Sequence, residues 1–347
     1  NSGLPHKNIE FLYPVSLGFN TNLQSFSAYI DKSYNIIFPI VLQPFAEVNY
    51  MSGDKKEQHL DVLFCREFLP RFFISLHCDI DFSPGVYKRS KMQNTIFNGT
   101  FRYVTKNNRY GVSGYYFNNK FDIQENGGIK NDSVFINNME SDRSVIDVNL
   151  SNATNLIKIS GFAIDQYFNI LALNVKKTQD SIYKERKIDI GRINHHFEYQ
   201  RNKYVYDDAN PLSSFYQSFD PVIDSTKTFD SIYFHNIKNI IYWNTLGYKK
   251  YNNDIPFYLT FGIEHNFSHH AGYYDLLTHE RINQHNLSNL RANAGIIINL
   301  FKSTRITGNA QLITNGYHAG DFFIDGQWKQ FLGTYKKNIG ALSFNVN

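Results

Sequence analysis

The sequence predicts an all-β protein, an antiparallel transmembrane β-barrel of about 14 strands. Three observations predict it. Apolar and polar residues alternate with a period of two over long runs. Short polar turns link the runs. No apolar run approaches the ~18 residues that a membrane helix needs.

The composition agrees. Among 347 residues there are 30 Phe and 24 Tyr, but 2 Trp, 2 Cys and 3 Met. Phe, Tyr, Ile, Val and Thr favour strands, and the abundant Asn favours turns. The best candidates for a membrane helix, Ile36 to Leu42 and Gly295 to Phe301, are short and broken by Pro39 and Asn299. Mean hydropathy is −0.40. A polar average suits a barrel, whose strands need only one apolar face. A soluble chain of this length usually splits into domains, whereas one closed sheet absorbs it whole, so residues 1–347 read as a single domain. Net charge is +4, from 35 Lys+Arg against 31 Asp+Glu, and the charge is spread along the chain. That excludes the concentrated basic face of a nucleic-acid-binding protein.

Taken in order, the elements repeat one pattern. Ser52-Gly53-Asp54-Lys55-Lys56 is a polar turn. In Phe73–Phe82, Ile74, Leu76, Cys78, Ile80 and Phe82 share a face opposite Ser75, His77, Asp79 and Asp81. In 95–103, Phe97, Phe101 and Tyr103 oppose Asn98, Thr100 and Arg102. Lys106-Asn107-Asn108-Arg109 then turns the chain. In 192–200, Ile193, Phe197 and Tyr199 oppose Arg192, Asn194, His196, Glu198 and Gln200. A turn at Lys250–Asp254 leads into 257–267, where Phe257, Leu259, Phe261, Ile263 and Phe267 oppose Thr260, Glu264 and Asn266. In 289–300, Leu290, Ala292, Ala294, Ile296, Ile298 and Leu300 oppose Asn289, Arg291, Asn293 and Asn299. In 322–329, Phe322, Ile324 and Trp328 oppose Asp325, Gln327 and Lys329. Strands of about 9 to 14 residues match a tilted membrane span. Longer loops are expected near 119–155, 203–230 and 268–284.

The segment Val62 to Leu76, followed by Ser83-Pro84-Gly85-Val86-Tyr87, has a specific layout. So does Glu125-Asn126-Gly127-Gly128-Ile129 after Tyr115 to Lys120, and Phe45 to Gly53 with Lys56-Glu57-Gln58. Together these resemble the β-barrel porin family of Bacteroidetes outer membranes, best over residues 40–155. There a strand pair leads into a Ser-x-Gly-x-Tyr turn, and a Glu-Asn-Gly-Gly-Ile segment follows the next hairpin. The resemblance implies a barrel in the outer membrane of a Gram-negative bacterium and a transport role, with no defined active site. Asn1-Ser2-Gly3-Leu4-Pro5 reads as a processed or truncated start, and Phe344-Asn345-Val346-Asn347 lacks the closing C-terminal aromatic of many barrels. The strand count of the whole barrel could therefore be larger.

The face predicted to point inward carries His77, Asp79, Asp81, Arg102, Arg192, Glu198, Glu264, Arg291, Asp325 and Lys329. These are the candidate pore-lining residues. With both signs present, weak ion selectivity is expected. Tyr50, Tyr103, Tyr110, Trp243, Tyr248 and Tyr258 are candidates for interfacial girdles. Ser75, His77 and Asp79 share a face but stand about 6.6 Å apart along the strand, beyond nucleophile–base reach. Neighbours in His195-His196 and His269-His270 point to opposite faces, and His265 lies about 13 Å from His269, too far for one zinc. No catalytic residue, metal or cofactor is expected. Cys65 and Cys78 flank a hairpin turn and could form a cross-strand disulfide, though two free thiols is the plainer reading. Asp132-Ser133-Val134, Asp180-Ser181-Ile182 and Asp230-Ser231-Ile232 resemble a short O-glycosylation motif of Bacteroidetes, and ordinary loop chemistry explains them as well. Glu125 to Gly128 reads as a loop, with inward folding as the alternative.

The expected function is passive diffusion of small hydrophilic solutes. The alternative is an accessory barrel, its lumen filled by loops, within a larger outer-membrane assembly. The expected partners are outer-membrane lipid, small hydrophilic solutes and other outer-membrane proteins, with no nucleic acid.

Overall fold

A computed structural model describes residues 36–170, 173–176, 185–188, 191–216, 226–245, 257–272, 284–300, 303–334 and 337–346, with isolated positions at 5, 6, 9, 17, 25, 26 and 29. Long alternating runs become long strands. In chain order they are β1 (Phe45–Ser52), β2 (Gln58–Leu69), β3 (Phe72–Ser83), β4 (Met92–Val104), β5 (Tyr110–Gln124), β6 (Thr154–Ile170), β7 (Leu173–Lys176), β8 (Glu185–Ile188), β9 (Gly191–Asp208), β10 (Thr228–Asn244), β11 (Phe257–Ala271), β12 (Gln284–Leu300), β13 (Thr304–Gly316), β14 (Phe322–Thr334) and β15 (Lys337–Val346). The short helices α1 (Asp132–Ile136) and α2 (Ser213–Tyr216) lie in loops.

Among the described residues thirteen strands form one sheet in the order β1-β2-β3-β4-β5-β6-β9-β10-β11-β12-β13-β14-β15. Every ladder is antiparallel. Among the described residues β7 and β8 pair only with each other, inside the connection from β6 to β9. Apart from the β7–β8 pair set into the β6–β9 connection, strand neighbours are thus sequence neighbours, the up-and-down order of a barrel wall. Among the described residues no ladder joins β1 to β15. The turn expected at Lys250–Asp254 lies outside the described residues.

The strands are longer than their side-chain pattern suggests. β9 has 18 residues, and β6, β10 and β12 have 17 each. Strands therefore occupy parts of the three loop regions, and the connections shrink to 125–153, 209–227 and 272–283. Backbone pairing continues where the side-chain alternation fades. These three loops lie at one end of the sheet with the links 84–91 and 317–321. At the opposite end β2–β3, β4–β5, β12–β13 and β14–β15 join through two to five residues, and β6–β9 and β10–β11 through the longer links 171–190 and 245–256. The end with 125–153 is called the long-loop end, and the end where four of the links are tight turns the short-turn end.

Register assigns every side chain to a face. His77 opposes Asn98, which opposes Phe117, then Gly161, Gln200, Asn236, Ser268 and Leu287 across successive strands. This defines the inner face. On the other face stand Phe64, Leu76, Phe97, Phe162, Ile193, Ile241, Phe261, Leu312 and Ile324. These residues are exposed: Ile241 keeps 58% of its surface and Ile324 60%. A soluble monomer rarely exposes an apolar patch above a few hundred Å². Here the patch crosses the sheet from β2 to β15, as a lipid-facing surface requires.

The same register excludes the disulfide. Cys65 opposes Ser75 on the inner face, whereas Cys78 opposes Val62 on the outer face. Their thiols are separated by the sheet, and both cysteines are free.

Candidate functional site

All ten candidate lining residues fall on the inner face by register. His77, Asp79 and Asp81 come from β3 and Arg102 from β4. Arg192 and Glu198 come from β9, Glu264 from β11, Arg291 from β12, and Asp325 and Lys329 from β14. They form separate polar clusters rather than one centre.

The first cluster joins β2 to β3. His59 Nδ1 lies 2.6 Å from Asp81 Oδ1 and 3.5 Å from Asp79 Oδ1. His77 Nε2 bonds Asp61 Oδ2 at 2.7 Å. His59 and Asp61 were not foreseen, because the alternation of β2 is weak (Leu63 also faces inward). His59, Asp79 and Asp81 offer one nitrogen and two oxygens within 4.8 Å of one another, the donor types of a divalent cation site. They already satisfy each other in part. Ser75 Oγ hydrogen-bonds Thr100 Oγ1 at 2.5 Å, and His77 turns to Asp61, so Ser75, His77 and Asp79 form no nucleophile–base pair.

The second cluster spans β6, β9 and β10. His196 Nδ1 lies 2.7 Å from Asp165, and its Nε2 lies 3.1 Å from Glu198. Lys238 stands opposite Glu198 in the β9–β10 register. Arg192 donates to Asn169 Oδ1 at 2.7 Å and lies over the Tyr167 ring at 4.1 Å. The third cluster pairs Glu264 with Arg291, which also donates to Gln311 at 3.0 Å. Their side chains are 5% and 15% exposed. On β14, Asp325 accepts from Asn309 at 3.1 Å, and Lys329 faces Arg305 across the ladder.

Several other expectations are placed by the same register. Tyr50, Tyr103, Tyr110 and Trp243 are on the outer face, as a girdle role requires, but Tyr258 shares the inner face with Thr260. Tyr248 lies outside the described residues. His195 and His196 point to opposite faces, and His265 and His269 share the outer one. Cross-strand pairing brings His235 opposite His269, with ring centroids 6.2 Å apart, a proximity that spacing along one strand could not reveal. Ser231 is 3% exposed within β10, and Ser133 is exposed in α1, so only the latter is open to modification; Ser181 lies outside the described residues.

The inner face also carries apolar residues, among them Phe234 and Ile240 on β10, and they gather most densely on β4 to β6. On β4 to β6, Met92, Tyr115, Phe117, Phe121, Ile123, Ile157, Ile159 and Ala163 form a buried cluster. Phe26, Tyr29, Ile36 and Phe38 pack on it from the N-terminal part of the chain. Tyr29 stacks on Phe121 at 5.1 Å, and Asn94 donates to the Tyr29 carbonyl at 2.8 Å. The inner face was expected to be polar; on β4 to β6 it is apolar where residues of the N-terminal part cover it.

At the long-loop end the connections 125–153 and 209–216 pack together. Leu150, Ala153 and Tyr216 are buried, with Tyr206 and Phe215 against them. Tyr216 donates to Asp208 Oδ2 at 2.8 Å, and burial pushes its hydroxyl pKa up. Gly127 (φ +64) approaches Leu150 and Phe215 so closely that an added Cβ would stand 2.7 and 2.9 Å from their atoms. The Glu125–Gly128 loop is thus packed against its neighbours. Lys88 bonds Asp147 at 3.0 Å and holds that exposed carboxyl below the usual range.

A single up-and-down antiparallel sheet, apolar outside and charged inside, defines a channel-type β-barrel protein. The family model described as "Putative porin" matches residues 1–347, and the chain belongs to that family. No curated protein and no solved structure matches it.

Proposed function

We propose that the protein is an outer-membrane porin through which small hydrophilic solutes diffuse passively. The observation that carries this reading is the asymmetry of the sheet. From β9 to β14 the inner face presents Asn194, Asn202, Asn236, Asn266, Asn293 and Asn309 between its charged residues. Polar side chains on that face suit water, and the apolar face opposite suits lipid. In the usual arrangement of such barrels the long loops face outward and the short turns face the periplasm. Mixed charges on the inner face favour weak ion selectivity. The test is planar-bilayer conductance of the purified, folded chain. Discrete ohmic events support the pore, and a silent folded protein sinks it.

A second reading is favoured by one observation, the N-terminal residues on the β4–β6 inner face. In that reading the barrel is an accessory subunit with a filled lumen. A folded chain that stays silent and co-purifies with a fixed outer-membrane partner would support it.

A further inference from the structure

The outer face carries an unusual row of charge near the long-loop end. Lys120 on β5 stands directly opposite Lys158 on β6, and Lys158 stands directly opposite Lys203 on β9. Side chains so paired have Cβ atoms about 5 Å apart, and like charges in that position destabilise a sheet. Arg201 lies two residues from Lys203 on the same face, over the Tyr233 ring at 4.9 Å. The nearby carboxylate is Asp122, 3.8 Å from Lys120. Among the described residues neither Lys158 nor Lys203 has an ion-pair partner within the protein. Lys120, Lys158 and Arg201 are exposed. Among the described residues the row therefore holds a surplus of positive charge that is not neutralised.

Its height on the sheet says what would neutralise it. Two rows toward the short-turn end, the same face presents Tyr116, Phe162 and Tyr199, an aromatic belt. From Tyr199 the outer face continues through Phe197, His195 and Ile193 to the end of β9. That is about 27 Å along the strand, or about 20 Å of membrane depth at a tilt near 40°. The lysine row sits about 13 Å along the strand beyond the belt. This is where headgroups lie when the apolar face is in lipid. The row runs perpendicular to the strands, so across three tilted strands its height changes by only about 6 Å.

We infer that Lys120, Lys158 and Lys203, with Arg201 beside them, bind the phosphate-bearing headgroup of a net-anionic membrane lipid whose acyl chains lie on the aromatic belt and apolar face next to the row. The inference rests on the reading of the apolar face as lipid-facing. It does not require that the barrel conduct.

The test is native mass spectrometry of the full chain in a neutral detergent, titrated with dioleoyl phosphatidic acid and, separately, dioleoyl phosphatidylcholine. The wild type is expected to retain phosphatidic acid at least tenfold more tightly. At about fivefold per lysine, Lys158→Gln is weakened about fivefold and the K120Q/K158Q/K203Q variant about a hundredfold. Lys106→Gln, in the turn between β4 and β5, leaves retention unchanged. Inorganic phosphate at millimolar concentration does not displace the lipid, because it lacks the acyl chains. Folding is checked by heat-modifiable gel mobility, and Lys158→Gln alone carries the test if the triple variant does not fold. Variants that bind phosphatidic acid as the wild type does would overturn the inference. So would equal retention of the two lipids, or displacement by free phosphate. A chain that conducts yet fails these tests loses only this site, and a silent chain that passes them loses only the pore.

Discussion

Asn309 and Ala310 are neighbours on β13, yet they answer to different solvents. Ala310 opposes Ala294 and Ile324 on the outer face. Asn309 opposes Gly295 and Asp325 on the inner face. Arginine at 310 would meet lipid near the middle of its strand. It would enter a shallow groove of about 780 Å³ beside Ala292, Ala294 and Ala310, so the side chain has room and steric clash contributes little. The cost is then that of a charge in hydrocarbon, about 2–4 kcal/mol near the bilayer midplane. That shifts the folded-to-unfolded ratio roughly 30- to 900-fold. Arginine at 309 would stay in water with Asp325 as a partner, and its effect should stay within about 0.5 kcal/mol. Both tryptophans, Trp243 and Trp328, are on the outer face. Their emission during urea unfolding from phosphatidylcholine vesicles therefore reports loss of lipid contact. Equal costs for Ala310→Arg and Asn309→Arg would refute the two-faced sheet, as would a larger cost at 309.

Three further outcomes follow from named contacts. Glu264→Ala leaves the mostly buried Arg291 with Gln311 alone and should cost about 1–3 kcal/mol, with much of the loss recovered in E264A/R291M; urea titration reads both. Burial pushes the Glu125 carboxyl up, so the folded state holds that proton more tightly than the unfolded chain does, and stability falls as pH rises through the carboxylate range. Glu125→Gln removes that fall, so the variant should melt above the wild type at pH 7 and level with it at pH 3. Gly127→Ala forces a side chain onto a positive φ and against Leu150 and Phe215, which should loosen the packed 125–153 and 209–216 loops by about 1–3 kcal/mol and speed their proteolysis without unfolding the sheet.

The sheet was legible because one of its faces meets a different solvent. Ile74, Leu76 and Ile80 alternate with His77, Asp79 and Asp81, and that alternation alone places the ten charged residues on a common face once the strands pair. What failed to show is where a third environment intrudes. On β5 the order inverts near the long-loop end. There Phe117, Phe121 and Ile123 face inward, and Lys120 and Asp122 face outward. The inversion is physical: Phe26 and Tyr29 cover the inner side, while the outer side has risen past the aromatic belt. Strand ends at 124, 154 and 208 were hidden for the same reason. Partners across strands, such as Asp165 for His196 or Asp61 for His77, are long-range facts that spacing along one strand cannot carry.

The central claim is that the charged face lines a water path and the apolar face does not. In a background carrying Cys65→Ala and Cys78→Ala, single-channel conductance can be followed while a positively charged, water-soluble methanethiosulfonate reacts with one introduced cysteine. For Asp325→Cys the account predicts a stepwise fall in conductance on modification, and for the adjacent Ile324→Cys no change. A response at 324 with none at 325, or folded protein that never conducts, would contradict it.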